Sequence, residues 1–90
     1  MIDEETKRDA LGRLRRIAGQ IGGIERMVNK ERYCIDIVNQ ITAVKRALDQ
    51  TALIIMKKHI ETCVSEAIKR DNSQVKIDEL LDTVDKFIRS

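Results

Sequence analysis

Proline and tryptophan are absent from this chain, and a single tyrosine and a single phenylalanine are its only aromatic side chains. With no proline, nothing forces a helix to break. With so few rings there is no platform on which unpaired bases could stack. Long hydrophobic runs are missing too: the longest, Thr51 to Met56, is far too short to span a bilayer, so no membrane partner is expected. The opening segment, MIDEETKRDALGRLRR, is charged from residue 3 onward and has no apolar stretch of the secretory kind, so no signal peptide is expected. Two cysteines in such a chain read as reduced thiols in a cytoplasm, available as buried apolar groups, metal ligands or redox groups.

What remains is rich in Lys, Arg, Glu, Ala, Ile and Leu, the composition of an all-α protein with long helices. Ninety residues make one small domain, 1–90, with little material to cover the apolar faces of such helices. Association between copies is therefore the expectation. Leu11, Leu14, Ile17, Ile21, Ile24 and Val28 recur at helical spacing and predict helix 1 over about 4–29. Gly12, Gly19, Gly22 and Gly23 interrupt it, each costing about 1 kcal/mol against Ala. Their expected use is close approach by another helix, and the alternative is a frayed or bent element. NKERY, residues 29–33, is a polar link. From Cys34 to Arg70 there is no Gly or Pro, which predicts one long helix 2 over about 34–70 with a seam of Ile37, Ile41, Val44, Leu48, Thr51 and Ile55. After RDNSQ, residues 70–74, the positions Ile77, Leu80, Leu81, Val84 and Ile88 mark helix 3 over about 75–88.

The chain's only histidine, His59, stands four residues before Cys63. At that spacing two helical side chains share a face, with Cβ atoms about 5–6 Å apart. The other soft ligand is Cys34, and an unbroken helix holds it roughly 40 Å from the pair. One chain cannot unite them. In an antiparallel pair of identical helices, residues whose numbers share a constant sum face each other. Setting Cys34 against the middle of 59–63 places a two-fold axis near residues 47 and 48, inside the apolar seam. Such a dimer makes two equal sites, each with Cys34 of one copy and His59 and Cys63 of the other. Cys34 also shares the heptad position of Ile41, Leu48 and Ile55. Two thiolates and one imidazole favour copper(I); zinc would want a fourth ligand, and nickel or cobalt more nitrogen and oxygen donors. The competing reading is a structural helix-face histidine with cysteines acting as small hydrophobes. A cysteine nucleophile is disfavoured, because no Gly-rich turn or carboxylate dyad accompanies it. Oxidation of Cys34 with Cys63 between copies stays open.

Charge is uneven. Residues 1–32 hold eight Lys/Arg against six Asp/Glu, and the rest of the chain is balanced. Lys7, Arg8, Arg13, Arg15 and Arg16 face only Asp9 between residues 7 and 16. That cluster reads either as a solvated face or as a patch for nucleic acid, which oligomerisation would multiply.

Three stretches together, RLRRIAGQIGGIERMV, RYCIDIVNQITAVKRALDQ and HIETCVSEAI, resemble the copper-sensitive operon repressor (CsoR) family. The resemblance runs from about Lys7 into helix 3. It implies a bacterial cytoplasmic repressor, three helices per subunit, dimeric and assembled as a dimer of dimers, that grips double-stranded operator DNA with basic faces and no helix-turn-helix. Cys34, His59 and Cys63 match the family's copper(I) pattern, which implies one copper(I) per subunit. The extra N-terminal histidine of the nickel and cobalt sensors is missing here. Persulfide sensors lack the histidine, and formaldehyde sensors lack the second helix-2 cysteine. Tyr33 and Glu79 fall where copper sensors place groups that support the ligands, and Arg13 falls on a position associated with DNA. Among the helix-2 cations, Lys45 and Arg46 are the candidates for DNA contact, with Lys57 and Lys58 behind them. Leu53 stands where some members carry a basic residue. The implied function is repression by the metal-free form and release of DNA by copper(I). The alternatives are a repressor of the same fold sensing zinc or thiol oxidation or persulfide through Cys34 and Cys63, or a helical scaffold that binds no DNA.

Overall fold

A computed structural model describes residues 2–70 and 73–89; for several helical positions, Cys63 and Ile88 among them, the backbone alone is described. Three helices account for it: α1 Glu4–Asn29, α2 Cys34–Arg70 and α3 Ser73–Arg89. The described residues contain no strand, and the fold is all-α. No helix among them is long and apolar enough to cross a membrane.

Local chemistry sets the helix ends. Asp3 caps α1, its carboxylate accepting the Thr6 N–H at 2.7 Å, and Glu4 and Glu5 follow where negative charge suits the helix dipole. All four glycines lie inside α1, none with positive φ, and the helix runs through them. The exit is tighter than a polar link suggests. Glu31 adopts φ 54°, its N–H donates to the Val28 carbonyl at 3.0 Å, and the Arg32 N–H donates to Met27 at 3.0 Å. These two bonds form a Schellman closure, with a glutamate in the left-handed position that glycine ordinarily fills. Two residues later the Tyr33 carbonyl accepts the Ile37 N–H at 3.2 Å, and α2 begins.

Two compact units divide the chain, one from Ile2 to Ile55 and one from Met56 onward. In the first, a four-residue connection leaves α1 and the opening of α2 no choice but to run antiparallel. Its buried residues are Ala10 and Ile17 from α1 and Val44 and Thr51 from α2. Their numbers pair at a constant sum, Ala10 with Thr51 and Ile17 with Val44, as an antiparallel hairpin turning at residues 30–31 requires. Thr51, only 3% exposed, satisfies its hydroxyl by donating to the Ala47 carbonyl at 2.9 Å. In the second unit, Leu80, Val84 and Phe87 are half-buried along one face of α3. Its outer face carries the pairs Lys86–Asp82 at 3.0 Å and Arg89–Asp85 at 3.2 Å.

The core is thin for the apolar content. Leu11, Leu14, Ile21 and Val28 of α1 stay exposed, as do Ile35, Val38, Ile41 and Leu48 of α2. The seam on α2 is thus split in the first unit. Val44 and Thr51 turn inward to α1, while Ile41 and Leu48, 44% and 43% exposed, are left uncovered.

Candidate metal centre and cationic surface

Cys34 is the first residue of α2, where the Schellman turn and the Tyr33 carbonyl fix the start of the helix. It is exposed and forms no disulfide. Seven and fourteen residues further on, in the same row of the helix, come the uncovered Ile41 and Leu48. A thiol in that row faces whatever covers the row. Tyr33 beside it is 68% exposed, so in the single chain its ring covers no core.

His59 is half-buried in the second unit and is engaged by a neighbouring group, as is Glu79 on the exposed side of α3. Cys63 lies one turn beyond His59 on α2, and its side chain is outside the described residues. Among the described residues no three His, Cys, Asp or Glu side chains converge. The donor types suit a soft monovalent ion: an imidazole and a thiol one turn apart, and a second thiol on a surface row that the chain leaves open.

The cationic candidates sort into different environments. Arg13 is held by Asp9, Nε to Oδ1 at 3.0 Å, with both side chains partly exposed. The i,i+4 spacing signals such a pair, and the cluster's lone acid is therefore committed to one arginine. Lys7, Arg8, Arg15 and Arg16 are exposed on α1, as are Lys45 and Arg46 on α2. Lys7, Arg8 and Arg15 line one shallow depression of ≈ 210 Å³ together with Glu4 and Leu11. Lys57 is exposed and Lys58 is half-buried, 3.9 Å from Glu61, while Leu53 presents an exposed apolar side chain. Arg26 lies outside the cluster expected from the sequence. Its guanidinium lies over Gly22 and Gly23: a β-carbon at those positions would stand 3.6 and 3.7 Å from Arg26 Nη1 and Nη2.

Comparison with known proteins adds three findings. The profile of the metal-sensitive transcriptional repressor family matches residues 6–86. A copper-sensing transcriptional repressor, CsoR of Bacillus subtilis, is 46% identical over 78 residues, covering 87% of this chain and 77% of the relative. Among solved structures, the copper-sensing repressor CsoR with Cu(I) from Geobacillus thermodenitrificans superposes with a TM-score of 0.88 at 35% identity, over 98% of this chain and 92% of that one. The nickel-responsive transcriptional regulator InrS superposes at 0.82 with 34% identity, over 89% and 90%.

Proposed function

Since the chain belongs to the metal-sensitive transcriptional repressor family, we propose that it is a copper(I)-responsive repressor whose metal-free form holds operator DNA. The observation that carries the metal assignment is the placement of Cys34 in the uncovered row of Ile41 and Leu48. A second, antiparallel copy covering that row brings its own His59 and Cys63 to Cys34, so the whole 1–90 domain acts as a subunit of a dimer, assembled further into a dimer of dimers. Copper(I), when bound, supplies a bond between soft donors of two chains, one ion per subunit. Relatives named for both copper and nickel share the fold. This chain has one histidine and two cysteines, and that donor set favours copper(I) over nickel.

The protein's own residues do the rest. Cys34 and Cys63 contribute the two sulfur donors, and His59 the nitrogen. A ligating histidine is oriented by whatever its second ring nitrogen contacts, and Glu79 and Tyr33 are the groups assigned that task. Lys7, Arg8, Arg13, Arg15 and Arg16 of α1, with Lys45 and Arg46 of α2, face phosphate and displace its counterions. Metal occupancy and operator occupancy oppose each other, and linkage requires each to weaken the other by the same factor. The protein acts by binding, not by catalysis, in the cytoplasm where reduced thiols and promoter DNA coexist.

The test is a titration of reduced protein with copper(I), reading metal stoichiometry and release of a duplex from its own promoter together. One ion per chain with concurrent release is expected. Release driven by nickel or zinc but not copper(I) would overturn the assignment.

A further inference from the structure

Arg8 and Arg26 of α1 are eighteen residues apart, five whole turns at 3.6 residues per turn, so they stand on one line along about 27 Å of helix. Arg15 falls within about 20° of that line. Ile17, 4% exposed and the innermost residue of α1, is nine residues from both Arg8 and Arg26, which is two and a half turns. The line of arginines therefore runs along the side of α1 diametrically opposite the core. All three side chains are exposed. Lys30, the C-cap, continues the line at its end.

The same side holds every glycine in the chain. Gly12, Gly19, Gly22 and Gly23 each fall within about 60° of the line, so the helix between Arg15 and Arg26 is bare, while Leu11 stands beside Gly12 between Arg8 and Arg15. A β-carbon at Gly12 or Gly19 would meet nothing within 4 Å. Among the described residues of the first unit nothing presses on them, so the close approach expected from the sequence is not made there. At Gly22 and Gly23 only the Arg26 guanidinium is near. Glu4 and Glu5, in the first turn, are the acidic residues within about 60° of the line, and none follows there between Arg8 and Asn29. Asp9 and the Arg13 it holds lie about 100° and 140° from the line, so the phosphate contact proposed for Arg13 is made off this track.

We infer that this arginine–glycine side of α1 is a track for the phosphate backbone of duplex DNA, with Arg8, Arg15 and Arg26 contacting phosphates and the glycines letting the strand lie against the helix. Charge complementarity selects the partner: a surface with cations and almost no acids fits a polyanion. Bare backbone between cations suits an extended rigid strand better than a compact ligand. The inference rests on the repressor reading and deepens it. It adds Arg26 and Lys30 to the interface and gives the glycines a function in binding.

The experiment measures fluorescence anisotropy of a labelled duplex from the protein's own promoter across a salt series, for the full chain and three variants. Gly19→Glu places a bulky anion on the track, where the folded chain has room for it and the helix gains propensity. Binding should weaken at least tenfold with the melting temperature not lowered. Gly19→Ala should bind within a factor of about three of the parent, since a methyl group adds little bulk. Arg26→Ala should reduce the slope of log affinity against log salt by about 0.9 for each phosphate that the arginine no longer neutralises, with copper(I) stoichiometry unchanged. Parent-like binding and slope in both Gly19→Glu and Arg26→Ala would overturn the inference while leaving the repressor reading intact. A change of oligomer size by light scattering in Gly19→Glu, without loss of DNA binding, would assign the track to a second copy and overturn it as well. Absence of salt-dependent binding by the parent would end both readings together.

Discussion

Replacing Glu31 by glycine should stabilise the protein without touching its chemistry. Glu31 sits at φ 54°, where an L side chain crowds its own carbonyl at a cost of about 1–2 kcal/mol. Glycine has no such cost, but it gives the unfolded chain more freedom, which offsets about 0.4–1 kcal/mol. The net gain is therefore centred on about 0.8 kcal/mol, between limits of about 0 and 1.6 kcal/mol. The two bonds that close the turn, Glu31 to Val28 and Arg32 to Met27, are backbone bonds and survive the change. For a domain of this size the gain corresponds to roughly 2–8 °C in melting temperature. Association, as proposed for this chain, would make melting concentration-dependent, so parent and variant must be compared at one concentration. Urea unfolding followed by circular dichroism is the cleaner assay, since a shifted midpoint at unchanged slope reports stability alone. Glu31→Val provides the opposite sign, because a β-branched residue is least tolerant of positive φ. Operator affinity should not change in Glu31→Gly, as the hairpin register and the start of α2 at Cys34 are preserved. If the variant were equally or less stable than the parent, the left-handed turn would not be what closes α1.

Three further perturbations address the shared site and the surface around it. Cys34→Ser and Cys63→Ser chains should each lose tight copper(I) binding, yet random mixing of the two should restore about a quarter of the sites, because half the dimers are mixed and each has one intact site; a mixture with no recovery would show the ligands belong to one chain. Leu48→Glu sets like charges face to face near the proposed two-fold axis, and light scattering should show dissociation with loss of copper(I) stoichiometry while helix content persists; an intact oligomer would move the interface elsewhere. In His59→Ala the two thiolates should still capture copper(I) but release DNA poorly, and normal release in a combined metal and anisotropy titration would refute a relay through the imidazole.

The three helices were legible because nothing in the sequence competes with them. Apolar residues recur at helical spacing in all three, and Asp3 with Thr6 three residues later is a readable cap. The turn between α1 and α2 was not readable. NKERY contains no glycine, so the left-handed residue is carried by a glutamate that no sequence rule singles out. The division of the α2 seam was also hidden. Spacing identifies Ile41, Val44, Leu48 and Thr51 as one stripe, but only the hairpin register decides that Val44 and Thr51 turn inward. In the candidate site the donor types and their spacing were visible, since ligand chemistry is written in residue identity. The pairing of Asp9 with Arg13 is what i,i+4 spacing of opposite charges favours. Arg26, inferred above to join the cationic track, is not singled out by the sequence, because a cluster along the sequence is not a line along a helix.

The soft-metal site proposed between copies would also give a reason for the thin core. A chain that covered Ile41 and Leu48 with its own residues would bury Cys34's row and close the route by which a second copy reaches that thiol. On that proposal the exposed row serves two ends at once: it withholds apolar burial worth about 25 cal/mol per Å² from the single chain, and it reserves that burial for the contact that would assemble the ligands. Sensing and assembly then draw on the same surface, so substitutions in the row should shift copper(I) affinity and oligomer stability together. Substitutions at Ala10 or Ile17, buried against the hairpin, should lower the stability of the fold without that correlation. A row variant that weakened the oligomer tenfold and left copper(I) affinity per chain unchanged would separate the two, and the metal would have to be held within one subunit.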